Sequence, residues 1–157
     1  MKNNYFGLKL KTGVTIFCEV IHADVDRQTY VIADPLVYDE KLSKSGDISV
    51  AFLPFAFYSK YNEHTIDASE VFMADPLNSK FTIMYGEALM GLEISDTKMS
   101  THELLTGSMS HDYIHLMNMV DKCKKIAEKY SSKFNGIQTP DFSEMEQTIL
   151  DNRPVVN

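Results

Sequence analysis

Residues 5–75 carry five apolar, strand-like runs, YFGLKLKTG, VTIFCEVIHADVD, QTYVIADPLVY, DISVAFLPFAFYS and HTIDASEVFMAD, separated by turn chemistry. Five short strands in about seventy residues are too few for a two-sheet sandwich but enough for a small closed or half-closed barrel, which removes most exposed edges. The predicted fold is therefore mainly β, a bent antiparallel five-stranded barrel, with helices appended. The expected domains are a barrel over residues 1–90 and a helical C-terminal extension over residues 91–157.

Within the first run Phe6, Leu8 and Leu10 alternate with Tyr5, Gly7, Lys9 and Lys11, which turns one set inward and puts the two lysines in solvent. Thr12 and Gly13 make a tight turn. The second run alternates Val14, Ile16, Cys18 and Val20 with Thr15, Phe17, Glu19 and Ile21, and its length predicts a strand bent over the barrel edge. The third is apolar until Pro35, which cannot donate to a ladder and marks a strand end, edge or bulge. Residues 41–47, KLSKSGD, read as a polar loop. The fourth run gathers Phe52, Phe55, Phe57 and Tyr58 around Pro54, an aromatic set that could form a stacking platform but at strand spacing beside a proline reads first as core and subunit-contact residues, and Asn62 with Glu63 is expected to close a hairpin onto a fifth strand, residues 65–73. ADPL occurs at 33–36 and again at 74–77, read as one strand-ending device used twice.

Beyond Lys80 the period changes. Residues 81–85 are predicted as a last strand, with helices following. Ser100, Thr101, His102 and Glu103 match a capping box. From 110 to 133 Ile114, Met117, Val120, Cys123, Ala127 and Tyr130 recur at three- and four-residue steps, widened by Leu116, Met119 and Ile126, so an amphipathic helix is predicted there. Thr139 and Pro140 suggest the start of a short last helix running to about Leu150, ahead of a disordered-looking NRPVVN end.

Composition narrows the function. The 157 residues are 44% hydrophobic, with a formal charge of −7, which excludes broad attachment to nucleic acid or anionic membrane through a general basic surface. Any nucleic-acid site must be local. Cys18 and Cys123 have no CxxC or ladder spacing and are expected to be small core residues in a reducing compartment. MKNNYFGLKL lacks the apolar stretch of a secretory signal, and no run approaches the roughly 18 apolar residues of a membrane span, so a cytoplasmic, non-membrane location is expected.

LKLKTGVTIFCEVI, DRQTYVIADPL, AFLPFAFYS and HTIDASEVFMADP together resemble the Sm-like (LSm) fold, specifically the small Sm-like proteins of tailed bacteriophages and cyanophages, over about residues 4–90. The resemblance implies a ring-forming homo-oligomer in the host cytoplasm that binds RNA. In that family the loop between the second and third strands offers a stacking residue and a polar partner, and the matching stretch here is Asp26, Arg27, Gln28, Thr29 and Tyr30. Thr29 stands in the stacking position and Tyr30 where Asn is usual, although Tyr30 can itself stack on a base. VFMADPLNSK lacks the family's Arg-Gly turn, which argues against the usual uridine contact while leaving fold and ring assembly untouched.

Other chemistry is sparse. His111 and His115 lie one helical turn apart and are weak candidates for a metal, with His102 or Glu103 as a third ligand, but two histidines make at most half a structural zinc site. No GxGxxG, GxxxxGK[ST] or GxSxG occurs, and no constellation orients a nucleophile, so neither an enzyme nor a cofactor is expected. Open terminal strands can pair with neighbours and close a ring, and the C-terminal helices, with Met109, Met117 and Met119, offer a surface for a protein partner. The expected function is a non-enzymatic Sm-like oligomer binding RNA or a nucleotide locally. The alternative is a structural or host-interacting phage accessory protein that makes protein contacts only. A small-nucleotide sponge is a third possibility.

Overall fold

The computed structural model describes residues 4–56, 58–105 and 112–151, without the side chains of residues 98–113. It contains six strands and three helices: β1 (Tyr5–Leu10), β2 (Thr15–Asp24), β3 (Thr29–Leu42), β4 (Ile48–Pro54), β5 (Glu63–Asp67), β6 (Val71–Pro76), α1 (Ser79–Leu105), α2 (Asp112–Lys133) and α3 (Ser143–Asp151). The chain divides into two compact units, Met1–Tyr85 and Gly86–Asn157.

The first unit is one antiparallel sheet in the order β4-β3-β2-β1-β6, with β5 also on β3. β4 pairs with residues 36–42 of β3 and β5 with residues 29–33. These two strands are therefore successive partners of one long strand, and the hairpin expected at Asn62 does not form between them. The fifth predicted strand is also divided, because a 3₁₀ turn, Ala68–Glu70, separates β5 from β6. The Asp67 carboxylate caps that turn by accepting from the Ser69 N–H at 3.0 Å. Ala68 N–H donates to the Gln28 carbonyl, and Lys11 N–H to the Glu70 carbonyl. A three-residue turn thus carries the chain from the β3 side of the sheet to the β1 side, which requires the sheet to curl. It remains open, because among the described residues no ladder joins β6 to β4 or β5.

Bulges produce the curl. Between the pairs Phe17↔Leu36 and Glu19↔Ala33, two residues of β3, Asp34 and Pro35, face Cys18 alone; between Val20↔Ile32 and His22↔Val31, β2 carries Ile21 as the extra residue. Asp34 sits at φ 49°, an uncommon backbone for a non-glycine residue. The first ADPL therefore bends β3 without ending it, and only the second ADPL closes its strand. Pro35 is tolerated there because its missing donor falls between the stretches paired by β5 and β4.

Both faces of the sheet are covered. Leu8, Ile16, Cys18 and Ile32 are fully buried on the inner face, flanked by Phe6, Leu10, Val20, Tyr30, Phe55, Ile66 and Val71. The opposite face carries an aromatic layer in which Phe17 stacks on Tyr38 at 4.6 Å and meets Phe52, Phe81 and Tyr85 at 5.5, 5.9 and 6.5 Å. Phe81 and Tyr85 come from the first two turns of α1. The strand predicted over 81–85 is thus helical, begun by Asn78, whose side-chain oxygen accepts from the Phe81 N–H at 3.0 Å. Tyr85 is fully buried, and its hydroxyl donates to the Asp34 carbonyl at 2.6 Å.

In the second unit Leu89, Met90 and Ile94 of α1 are buried, as are Met119, Val120, Cys123, Ala127 and Tyr130 of α2, together with Phe134 and Phe142. The predicted stripe of α2 holds from Met119 onward, but Ile114 is exposed. A side chain on Gly86 would meet the Phe134 ring at 2.5–2.9 Å, so only glycine allows this helix-to-ring approach. Lys124 of α2 pairs with Glu146 of α3, and Lys129 of α2 with Glu93 of α1 at 3.3 Å. Ser100, predicted to cap a helix, lies inside α1, so no helix begins there. The last helix begins at Ser143, beyond Pro140, where Asp141 Oδ1 accepts from the Ser143 N–H at 2.9 Å. Phe57, Met109, Ser110, His111 and residues 152–157 lie outside the described residues, as do the side chains of His102 and Glu103.

Candidate functional site

The five residues singled out in sequence are consecutive at the tip of the β2–β3 connection. Asp26, Arg27 and Gln28 belong to the turn, while Thr29 and Tyr30 open β3. The turn is internally tied: Asp24 Oδ1 accepts from the Arg27 N–H at 3.0 Å, and the Arg27 Nε lies 3.8 Å from Asp24 Oδ2. Gln28 takes a positive φ of 53°, which aims its carbonyl at the 3₁₀ turn. Thr29 pairs with Asp24 on one side and Asp67 on the other.

Tyr30 does not project from this tip. Its ring packs against the inner core beside Ile32 and Ile66, so the aromatic proposed for stacking contributes to the fold of the sheet. What the tip offers to solvent is the guanidinium of Arg27, whose side chain is 84% exposed, beside exposed Asp26 and the half-buried Asp24. One cation between two carboxylates gives a weak, local electrostatic site, since a phosphate approaching Arg27 also meets like charge.

A second constellation occupies the segment between β4 and β5. Its ends are pinned to the β3 bulge: Phe55 N–H donates to the Pro35 carbonyl at 3.2 Å, and Asp34 N–H donates to the Asn62 carbonyl at 2.9 Å. Phe55 packs on the inner core and lies edge-on to His64 at 6.3 Å. Between these anchors Ser59 N–H donates to the Ala56 carbonyl, and Tyr61 N–H to Ser59 Oγ at 3.1 Å. This built loop presents Tyr58, 84% exposed, and Tyr61, 66% exposed, with the Lys60 Nζ 5.2 Å from the centre of the Tyr61 ring. The sequence placed Tyr58 with core aromatics, and the partial burial of Phe52 and Phe55 fits that reading where Tyr58 does not. The overlooked signal is the interleaving of YSKY, two aromatics around a cation with no acid from 54 to 62.

Burial pushes the Cys18 thiol up to about 12, with Glu19 adding to the effect, and Cys123 is likewise a buried cysteine outside any disulfide. Burial, then the hydrogen bond to Glu40, pushes Tyr38 up to about 12, and burial raises Tyr85 further still. In the second unit a cleft of about 350 Å³ lies over Phe142, edged by Lys124, Glu128, Ser132 and Thr139. Two of its polar groups are already engaged, Lys124 with the Glu146 carboxylate and the Ser132 hydroxyl donating to the Glu128 carbonyl. Among the described residues no three His, Cys, Asp or Glu side chains converge as a metal site, and His111 lies outside them. No described helix is long and apolar enough to cross a membrane.

The two open sides of the sheet form the third feature. β6 pairs with β1 along one side only, and β4 and β5 with β3 along one side only. Large apolar side chains are exposed on both, Phe72 (68%) and Met73 on β6, Ile48 and Leu53 on β4. No protein-family model matches the chain, and no curated protein matches it in sequence.

Proposed function

We propose that the protein is a non-enzymatic subunit of an Sm-like homo-oligomer that closes a ring through its sheet edges and binds RNA locally. The observation that carries this reading is the pair of unpaired, apolar edges, β6 at one end of the strand order and β4 with β5 at the other. An exposed edge strand is a template for another chain, and β6 of one subunit added to the β4 and β5 side of the next is a head-to-tail contact that closes if the rotation is constant. Phe72 and Met73 supply apolar area to such a seam. The curled sheet, with its 3₁₀ turn linking the β3 and β1 sides, supports a half-closed barrel of the Sm-like kind.

A purely protein-binding role is the second reading. It is favoured by the carboxylates flanking Arg27 and by the packing of partly buried Tyr30 against the core, which leave the β2–β3 tip with little to hold a base. Size-exclusion chromatography with a mixed short-RNA pool separates the two. Co-elution of RNA with an oligomer, lost as salt rises, is the expected result; an oligomer that ignores RNA at low salt selects the protein-binding role.

A further inference from the structure

We infer that the turn closing α2 is a self-modifying site, at which the Gly136 backbone nitrogen attacks the side-chain carbonyl carbon of Asn135 in the folded chain and water then converts the residue to aspartate or isoaspartate. The inference stands apart from the ring and RNA readings, and its only co-reactant is water.

Sequence selects the pair and structure opens it. Of the eight asparagines only Asn135 precedes a glycine. The attacking nitrogen must swing toward the preceding side chain, and a residue without Cβ leaves that approach unhindered. Glycine is also what the fold asks for here. α2 ends at Lys133, Phe134 N–H still donates to the Tyr130 carbonyl at 2.8 Å, and Gly136 turns the chain out at φ 88°, the left-handed backbone that ends many helices. The device that stops the helix thus supplies the reactive neighbour. Both residues are exposed in the turn between α2 and α3, and among the described residues no hydrogen bond holds the Asn135 side chain. Two other asparagines differ on these points. Asn78 is exposed too, but its side-chain oxygen accepts from the Phe81 N–H at 3.0 Å and is fixed as a helix cap. Asn118 lies inside α2, where the nitrogen that follows it belongs to the helical ladder.

In the first step a bond forms between Gly136 N and Asn135 Cγ, the Cγ–Nδ2 bond breaks, and the proton from the Gly136 nitrogen leaves with the side-chain nitrogen as ammonia. The product is a cyclic succinimide. Water then opens one of its two carbonyl–nitrogen bonds. Opening at Cγ restores the ordinary main chain with aspartate at 135; opening at the backbone carbonyl carbon leaves the chain running through Cβ and Cγ, as isoaspartate. One water is consumed, one ammonia is released, and nothing is oxidised or reduced. Either product sets a new carboxylate just beyond the C-terminus of α2, the negative end of the helix dipole. Isoaspartate also lengthens the main chain shortly before Gln138, whose N–H donates to Glu87 Oε1 at 3.1 Å, and so loosens that bond.

The test is peptide mapping by mass spectrometry, with fragmentation to assign the residue, on the full wild-type chain held at 37 °C and pH 8 for two weeks, native and in 6 M guanidinium chloride. In the native sample Asn135 is expected to gain about 1 Da at a rate at least roughly tenfold that of Asn78. Hydroxylamine, which attacks the succinimide, should cut the ageing chain into residues 1–135 and 136–157. Asn135→Gln, which would have to close a larger ring, should show neither change. Amide hydrogen exchange over residues 137–142 should be faster in aged than in fresh wild type, and unchanged by ageing in Asn135→Gln. Conversion in denaturant but not in the native chain overturns the proposal, because the fold then protects the pair. Native conversion of Asn135 no faster than that of Asn78 overturns it as well. Unchanged exchange after conversion overturns the loosening of the Gln138 bond and leaves the site standing.

Discussion

Gly86 and Gly91 lie five residues apart in α1, yet their substitutions are predicted to act in opposite directions. A methyl group on Gly86 would stand 2.5–2.9 Å from the Phe134 ring, whereas on Gly91 it meets nothing within 4 Å. Gly91→Ala is therefore expected to stabilise by about 0.5–1 kcal/mol through helix propensity alone. Gly86→Ala should destabilise by about 1–3 kcal/mol through overpacking, despite the same propensity gain. Urea unfolding of both variants checks the pair. Directly before Gly86 in the same helix, Tyr85→Phe removes the 2.6 Å bond to the Asp34 carbonyl. We expect a loss of about 1 kcal/mol, visible as a shift in urea midpoint at unchanged slope. Neither contact is legible in sequence, because each joins residues far apart in the chain and depends on a ring position that periodicity does not encode.

Strand alternation, in contrast, was legible residue by residue. Phe6, Leu8 and Leu10 face the inner core as their spacing requires, and Ile16, Cys18 and Val20 follow the same rule. The alternation misled where a local preference met a tertiary one. FTIMY over 81–85 is β-branched and aromatic and reads as strand, but Asn78 caps a helix that sets Phe81 and Tyr85 one turn apart against the aromatic layer. The first ADPL does not end its strand as the repeat suggested; of the readings given to Pro35, the bulge is the one observed, and a change of partner strand at that point removes the need for its donor. The 3₁₀ turn was hidden in DASE, although Asp67 is a capping residue in form. Its capping hydrogen bonds to Ser69, backbone N–H first, hold the Asp67 carboxyl below the usual aspartate range, with Lys11 adding to the effect. A lowered folded value means that this cap contributes fully above about pH 4, the ordinary aspartate pKa, and fades as pH falls through the folded value. Asp67→Asn should therefore lie closer to wild type in stability at pH 2.5 than at pH 6, measured by urea midpoint at each.

At the scale of the molecule, the candidate site divides into parts that the sequence reached and parts it did not. The β2–β3 tip was located correctly as a turn, but which way Tyr30 points depends on strand register, and register places it opposite Ala23 and Ile66, partly buried against the core. Tyr58 was ranked as core ahead of a stacking role because aromatics beside a proline usually signal core, and only exposure distinguishes it from Phe55. The edges carry the central claim, that subunits join β6 to the β4 and β5 side and so build the functional assembly. Phe72 is the residue to change, being 68% exposed on β6 and outside the inner core of its own chain. A charge there should leave the subunit folded and remove the seam. The decisive measurement is light scattering on the eluting wild-type protein and on Phe72→Lys. The account predicts a discrete wild-type mass of several 17.9 kDa chains and a shift toward one chain in the variant. A wild-type protein that elutes as a single chain at micromolar concentration would contradict it.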